Sequence, residues 1–567
     1  MSDNPLMKFM INLFAPIQLK KPLVVPTLPA ECMYQIFQNL VDQGEALHPY
    51  LLINRYWCRN VIPFLWARPF DDNLTPENMH KIILVYFSSL NDTEKSELGD
   101  FLIQNSYDTE LITELFQQGK PLFNYPMMLQ ELSIKNLELF VHSLIFRYNM
   151  EFGCQMNQMN QMDDQLNFMT SILWKLFLRN SINFRSFRVD NYPDHDDIPE
   201  LSSYLKIPQN FGLSNISKLE IDYSTQPMLK NTINLLKMIP KLCKRIQILS
   251  IKLPRFENNS DAIEAIVSII MTQDRLKEFS LEGVENVKDS QSIFQALQSQ
   301  VRSLTSVEID RVEITTLSLY ALAKCTNLEN LKISNCGGLR IQDITNTVTT
   351  TPSTIDEMWN KIKFENLKKL HLEKLSKNTI ISSLIIQTIG KSSLRELTMD
   401  VITQDTINSM IAICPDITHL TLLNYQPSLH DHLLSSLFQS LQNVTHLTIQ
   451  IPISISVSES SIISGKSLPP SLTYLKLQCG YQKIQLDGLL SDCCKTKLKV
   501  LIVDVVKILY MDMKGITSFI KGRAGSSVKY LGIGGDVKYN CKVIKELEEL
   551  KEKCGVCVIP WYEIGKW

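Results

Sequence analysis

The chain has 567 residues, 44% of them hydrophobic and 20% charged, and its 57 basic and 59 acidic groups leave a formal net charge of −2. That length exceeds one compact core, so the chain holds several domains or one elongated repeat domain plus a small one. The near-neutral balance removes any global pull toward nucleic acid or anionic membrane, and no apolar run reaches the roughly 20 residues that span a bilayer.

The first 25 residues read as a tail. MSDNPLMKFMINLFAPIQLKK looks faintly like a signal peptide, but Asp3 comes early, Lys8 interrupts the apolar run and no small-x-small cleavage site follows. The 13 cysteines are odd in number and scattered, with Cys243, Cys325 and Cys414 inside apolar patterns. Such usage suits reduced, buried thiols in the cytoplasm, the nucleus or both.

Residues 26–70 form a small helical module. Met33, Ile36, Phe37 and Leu40 recur at helical spacing, with Pro29 at the start of that helix. Leu47, Leu51, Leu52, Ile53 and Trp57 provide a second apolar surface, and three short helices are expected. A unit of this size buries little core and is marginal alone. Residues 71–180 read as a helical linker with irregular repeats, interrupted at 155–165 by QMNQMNQMDDQ, a polar, Met-spiked stretch expected to be a disordered loop.

From residue 181 to 567 one pattern recurs, apolar-x-x-apolar-x-apolar. It begins at Phe184, Ile216, Ile246, Leu276, Leu304, Leu328, Leu367, Leu394, Ile417, Val444, Leu472, Leu498 and Val528, with an irregular earlier copy at Leu129. Each copy predicts a short strand. The segments between, such as 261–273, 289–301, 403–414 and 431–441, carry apolar residues at three- and four-residue steps and predict helices. A Thr-rich insertion (TNTVTTTPSTIDE) and the stretch 453–470 interrupt the series, and KVIKELEELKEKCG with VCVIPWY predicts a closing helix and strand. The steps, mostly 23 to 30 residues, resemble the roughly 20–29-residue period of leucine-rich repeats. Only Asn335-Cys336 and Asn424 approximate the asparagine signature of those repeats. The expected fold class is therefore α/β: a leucine-rich-repeat solenoid, with parallel strands on the concave face and helices on the convex face, preceded by a small all-helical module.

The small module resembles the F-box. Leu28, Pro29 and Glu31 match its Leu-Pro-acidic opening, and Ile36, Phe37 and Leu40 match its apolar helix. Ile53-Asn54-Arg55-Tyr56-Trp57 matches its closing segment, with Asn54 where Cys is usual. An F-box ahead of leucine-rich repeats resembles the fungal expanded-family type of F-box protein. The resemblance implies a non-catalytic substrate receptor of an SCF-type ubiquitin ligase. The F-box would dock on a Skp1-type adaptor, and through it on cullin and RING subunits, while the repeats bind a target protein. Adaptor contacts would come from Leu28, Pro29, Ile36, Phe37, Leu40, Leu51 and Trp57, with internal core as the other reading of Leu51 and Trp57. The alternative is a repeat scaffold or inhibitor that acts without ubiquitylation.

In the repeat, the third and fifth positions point away from the core. They nominate Glu278, Glu308, Lys332, His371, Glu396, His419, His446, Tyr474, Lys476 and Tyr530 for substrate binding. His419 and His446 hold equivalent places in successive repeats, as a pH-sensitive or aromatic patch or simply as solvated strand positions. Enzymatic or metal chemistry has no motif to stand on. Cys554-Gly-Val-Cys557 lacks a second pair, Cys493 and Cys494 are adjacent, His430-Asp-His432 reads as a charged loop, and the glycines at 532, 534 and 535 fall short of a dinucleotide loop. No cofactor, metal, nucleic acid or membrane partner is expected.

Overall fold

The computed structural model describes residues 28–559 except 72, 105–114, 116–118, 152–158, 191–196, 201–211, 226, 255–259, 340–360, 376–379, 390–392, 401, 426, 452–467, 480–489, 491–492, 494–495, 506–509, 523–526 and 535–540. The N-terminal tail, the Thr-rich insertion and nearly all of 453–470 lie outside the described residues. The chain divides into two compact units, Met1–Pro69 and Phe70–Trp567.

The first unit holds helix α1 (Ala30–Asp42), a 3₁₀ turn (His48–Leu52) and helix α2 (Arg55–Leu65). Pro29 sits immediately before α1, where its fixed φ and missing N–H cost nothing. Asn54 caps α2: its side-chain oxygen accepts from the Trp57 N–H at 2.9 Å. The residue that departs from the F-box pattern thus has a local structural role. Met33, Phe37, Leu47 and Val61 form the core, with Leu40, Tyr50, Leu51, Tyr56, Trp57 and Phe64 packed partly against it.

The second unit is one parallel sheet of 15 strands in strict chain order. Its strands are β1 (Glu131–Ser133), β2 (Ser186–Asp190), β3 (Lys218–Asp222), β4 (Ile248–Lys252), β5 (Glu278–Glu282), β6 (Ser306–Asp310), β7 (Asn330–Ser334), β8 (Lys369–Glu373), β9 (Glu396–Met399), β10 (His419–Leu422), β11 (His446–Ile451), β12 (Tyr474–Cys479), β13 (Val500–Val505), β14 (Tyr530–Ile533) and β15 (Cys557–Ile559). Each repeat returns to the sheet beside the one before, so the fold is a leucine-rich-repeat solenoid. Register follows the apolar pattern. Leu219, Leu249, Phe279, Val307 and Leu331 are cross-strand neighbours, and so are Ile221, Ile251, Leu281, Ile309 and Ile333. All are buried. Slipping one strand by a residue would turn its buried pair to solvent, at about 1.5–3 kcal/mol per side chain, which pins the register.

Helices α3 (Pro76–Ser88) and α4 (Asp92–Gln104) precede the first strand, and the helices between the strands are α5 (Ile134–Glu151), α6 (Met159–Asn180), α7 (Lys230–Leu242), α8 (Ser260–Thr272), α9 (Val287–Leu297), α10 (Thr316–Ala323), α11 (Ile380–Gln387), α12 (Gln404–Ile413), α13 (Pro427–Ser440), α14 (Tyr510–Lys521) and α15 (Cys541–Cys554). Neighbouring helices pack on one another through most repeats: α7 on α8, α8 on α9, α9 on α10, α11 on α12, α12 on α13 and α14 on α15. In α8 the inward stripe is Ala262, Ile263, Ala265, Ile266, Ile269 and Ile270. Thr315 and Thr403 close capping boxes at the starts of α10 and α12.

Residues 71–180 fall in the same unit as the later repeats, and the irregular copy starting at Leu129 contains the first strand, β1. Two expectations need correction. Helix α6 begins at Met159, within the supposed loop of 155–165; Met and Gln favour helices, and the apolar run from Leu166 propagates one backward. His430-Asp-His432 lies in α13 rather than a loop.

The two signature asparagines serve the backbone. Asn335 and Asn424 stand two residues past the last inward strand residue with φ of 53° and 52°. Gly283, Arg311 and Lys374 occupy the same place, also at positive φ. This left-handed residue turns the chain off the strand. Burial of the opposite turn is satisfied by Gln273 and Gln300. Gln273 accepts from the Ile246 N–H and donates to the Cys243 carbonyl, and Gln300 repeats both bonds one repeat on, to Leu276 and Gln273. Cys243 fills that position a repeat earlier, donating its thiol to the Leu213 carbonyl.

Candidate binding surfaces

The small unit exposes an unusual share of large apolar side chains. Leu28, Tyr34, Ile36, Val41, Leu52 and Ile53 are all exposed, Leu52 by 58% and Ile53 by 52%. Single exposed apolar residues need no explanation; six fall on this small unit. The nominated adaptor residues divide. Leu28, Pro29 and Ile36 are exposed, and Leu40, Leu51 and Trp57 are half-buried against the core. Phe37 is fully enclosed. Its ring meets Trp57 at 5.5 Å, Phe64 at 5.9 Å and Tyr50 at 6.0 Å. Phe37 therefore holds the unit together and offers no side chain to a partner. Leu52, Ile53 and Tyr34 are surface residues absent from the nominated set. Tyr34 lies off the arc of Met33, Phe37 and Leu40 on α1, and Leu52 and Ile53 close the 3₁₀ turn.

In the solenoid, all ten nominated substrate residues lie on the sheet face away from the buried rows. They fall in two cross-strand rows. One row contains Glu278, Glu396, His419, His446, Tyr474 and Tyr530; the other contains Glu308, Lys332, His371 and Lys476. The register brings Glu396, His419, His446 and Tyr474 together on four successive strands. The His419 and His446 rings stack at 4.0 Å, and His446 stacks on Tyr474 at 5.2 Å. Lys369, not among the nominated residues, pairs with Glu396 at 2.8 Å and ends this run. In the second row Lys332 pairs with Glu308, and His371 lies beside Lys332. Glu278 stands apart, next to Ser306, and Val500 separates Tyr474 from Tyr530.

Hydrogen bonding orients both imidazoles. The Thr418 hydroxyl donates to the Arg395 carbonyl and lies 2.9 Å from His419 Nδ1. Thr445 does the same with the Thr418 carbonyl and His446 Nδ1. Each hydroxyl therefore ties an imidazole edge to the backbone of the preceding repeat, and the tautomer sets which atom donates. Burial, and then the neighbouring His419, hold the His446 pKa below its ordinary value, against the pull of Glu396. The run is thus a carboxylate, two stacked imidazoles and a phenol on four successive strands.

At the far end the same face becomes apolar. Ile502 and Ile559 are buried there, with Tyr474 and Val500 beside them. The outward apolar residues of LKVLIV and VCVI were the available sequence signal. Elsewhere the buried thiols are inert: burial pushes Cys243, Cys336 and Cys414 up to about 12. Cys554 and Cys557 are exposed. No helix among the described residues is long and apolar enough to cross a membrane.

No family model matches the chain, and no curated protein sequence matches it. Similar folds occur among solved structures. The Rad7–Elc1 complex of yeast has a TM-score of 0.34 at 14% identity, covering 85% of this chain and 95% of that one. The leucine-rich-repeat-containing protein LegL7 of Legionella pneumophila scores 0.32 at 13% identity, over 65% of this chain and 98% of that one. An internalin of Listeria monocytogenes scores 0.26 at 14% identity, over 59% and 82%.

Proposed function

We propose that this chain is a substrate receptor of an SCF-type ubiquitin ligase, in which the small helical unit docks on a Skp1-type adaptor and the solenoid binds the protein to be modified. The observation that carries the reading is the pairing of F-box-like residues with an exposed apolar surface on the same unit. Leu28, Ile36, Leu52 and Ile53 supply that surface around a closed aromatic core. The solenoid supplies a long sheet face with a built polar–aromatic strip at Glu396, His419, His446 and Tyr474. The chain transfers no ubiquitin itself; it raises the local concentration of target beside the enzyme that does.

Co-expression with a Skp1-type adaptor tests the reading. The native chain should co-purify with the adaptor, and Ile36→Glu with Leu52→Glu should abolish this while the solenoid stays folded. A folded native chain that captures no adaptor refutes the docking role and leaves a repeat scaffold acting without ubiquitylation.

A further inference from the structure

The near-zero net charge hides an uneven distribution. At the turns that lead into β4, β5 and β6, the chain carries Lys244, Arg245, Arg275, Lys277 and Arg302, all exposed. Backbone bonds keep these turns in register. The Asp274 N–H donates to the Lys244 carbonyl, the Lys277 N–H to Gln247, and the Thr305 N–H to Lys277. Arg245 and Arg275 therefore occupy equivalent places on adjacent turns, as do Lys244, Asp274 and Arg302. The turns lie side by side at about the 4.8 Å strand spacing.

These cations are not consumed by neighbours. On the open sheet face the bases are paired: Lys369 with Glu396, Arg188 with Asp222, and Lys332 with Glu308. None of the five rim cations has an ion pair among the described residues. Arg275, Lys277 and Arg302 converge on a groove of about 750 Å³ that Ser303, Thr305 and Asn327 also line. Asp274 is the acid in that lining. Asn327 is held in place by donating to the Arg302 carbonyl at 2.7 Å.

We propose that this groove binds an extended acidic peptide segment of a protein partner. Side chains on one side of an extended peptide recur every ~7 Å, a spacing that lets successive carboxylates reach Arg275, Lys277 and Arg302 from one strand-like segment. Guanidinium groups take carboxylates in bidentate fashion, and the hydroxyls and the Asn327 amide supply further donors. A nucleic acid fits less well. The lining has no aromatic ring on which a base could stack. The groove is separate from the His419–His446 strip, and the proposal stands whether or not the small unit docks on an adaptor.

Fluorescence polarisation on the full chain tests it, with a labelled aspartate-rich peptide as probe. The same peptide with asparagine for aspartate and a single-stranded DNA oligonucleotide serve as comparisons. The aspartate peptide should bind and weaken steeply with salt, and the asparagine peptide should not bind. Arg275→Gln and Arg302→Gln should each weaken binding about tenfold, as expected for lost charged hydrogen bonds. Lys521→Gln, on α14, should bind as the native chain does. No binding, unchanged binding in both arginine variants, or equal weakening in Lys521→Gln overturns the proposal. So does tighter binding of the DNA with the same arginine dependence. All substituted side chains are exposed, so circular dichroism should show native folding throughout.

Discussion

Phe37 and Ile36 are neighbours in sequence with opposite roles, and substituting each separates folding from docking in the small unit. Phe37 is fully buried among Trp57, Phe64 and Tyr50. Phe37→Ala removes most of the central ring, at about 3–5 kcal/mol. The cluster around Phe37 holds four enclosed side chains among the described residues, and so small a core supplies about 3–5 kcal/mol in all. Phe37→Ala should therefore unfold the small unit while the solenoid, with a core of its own, keeps its melting transition. Ile36 is 37% exposed, about 100° around α1 from Phe37. Glu is a better helix former than Ile, so Ile36→Glu should change stability by no more than about 0.5 kcal/mol. Hydrogen exchange reads both outcomes. Amides of α1 and α2 should lose protection in Phe37→Ala and retain it in Ile36→Glu. Native protection in Phe37→Ala, or collapse in Ile36→Glu, refutes the division of this unit into core and contact surface.

Gln273→Ala leaves the Ile246 N–H and the Cys243 carbonyl buried without partners, at about 1–3 kcal/mol each, so a urea titration should show roughly 3 kcal/mol lost; exposed Gln247→Ala should cost less than about 0.5 kcal/mol. Gly283→Ala places a Cβ 2.2 Å from the Leu253 carbonyl oxygen at a φ of +88°, and the same titration should show about 2 kcal/mol or more lost. The folded pKa of His446 lies below its unfolded value, so as pH falls below about 6.5 the unfolded state takes up the proton first. Stability should then decline until the folded pKa is passed, and His446→Gln should flatten that part of a Tm-against-pH profile. Cys243, Cys336 and Cys414 should resist alkylation in the native chain and react on unfolding, while exposed Cys32, Cys541, Cys554 and Cys557 react at once under mass-spectrometric detection.

The solenoid is legible in the sequence because its largest energy is written at fixed spacing. Inward positions such as Leu249 and Ile251 must be apolar in every repeat, so the period survives even where the helices degenerate, and the copy at Leu129 resolves as β1. The contact of His419 with His446 is legible for the same reason: equal places in adjacent repeats become cross-strand neighbours. Composition misleads where propensity and context oppose it. The Gln/Asn-rich segment suggests disorder, yet from Met159 it extends a helix whose inward face is anchored by Leu166, Met169 and Leu173. The small unit is harder, since Ile36 and Phe37 are both apolar and differ only by about 100° around α1. The basic rim is hardest of all. Arg245, Arg275 and Arg302 are about a repeat apart in sequence and are unremarkable singly; only the stacking of turns makes them one surface. Whatever a repeat protein selects is therefore composed across the chain, by register, from positions the fold itself leaves free to vary.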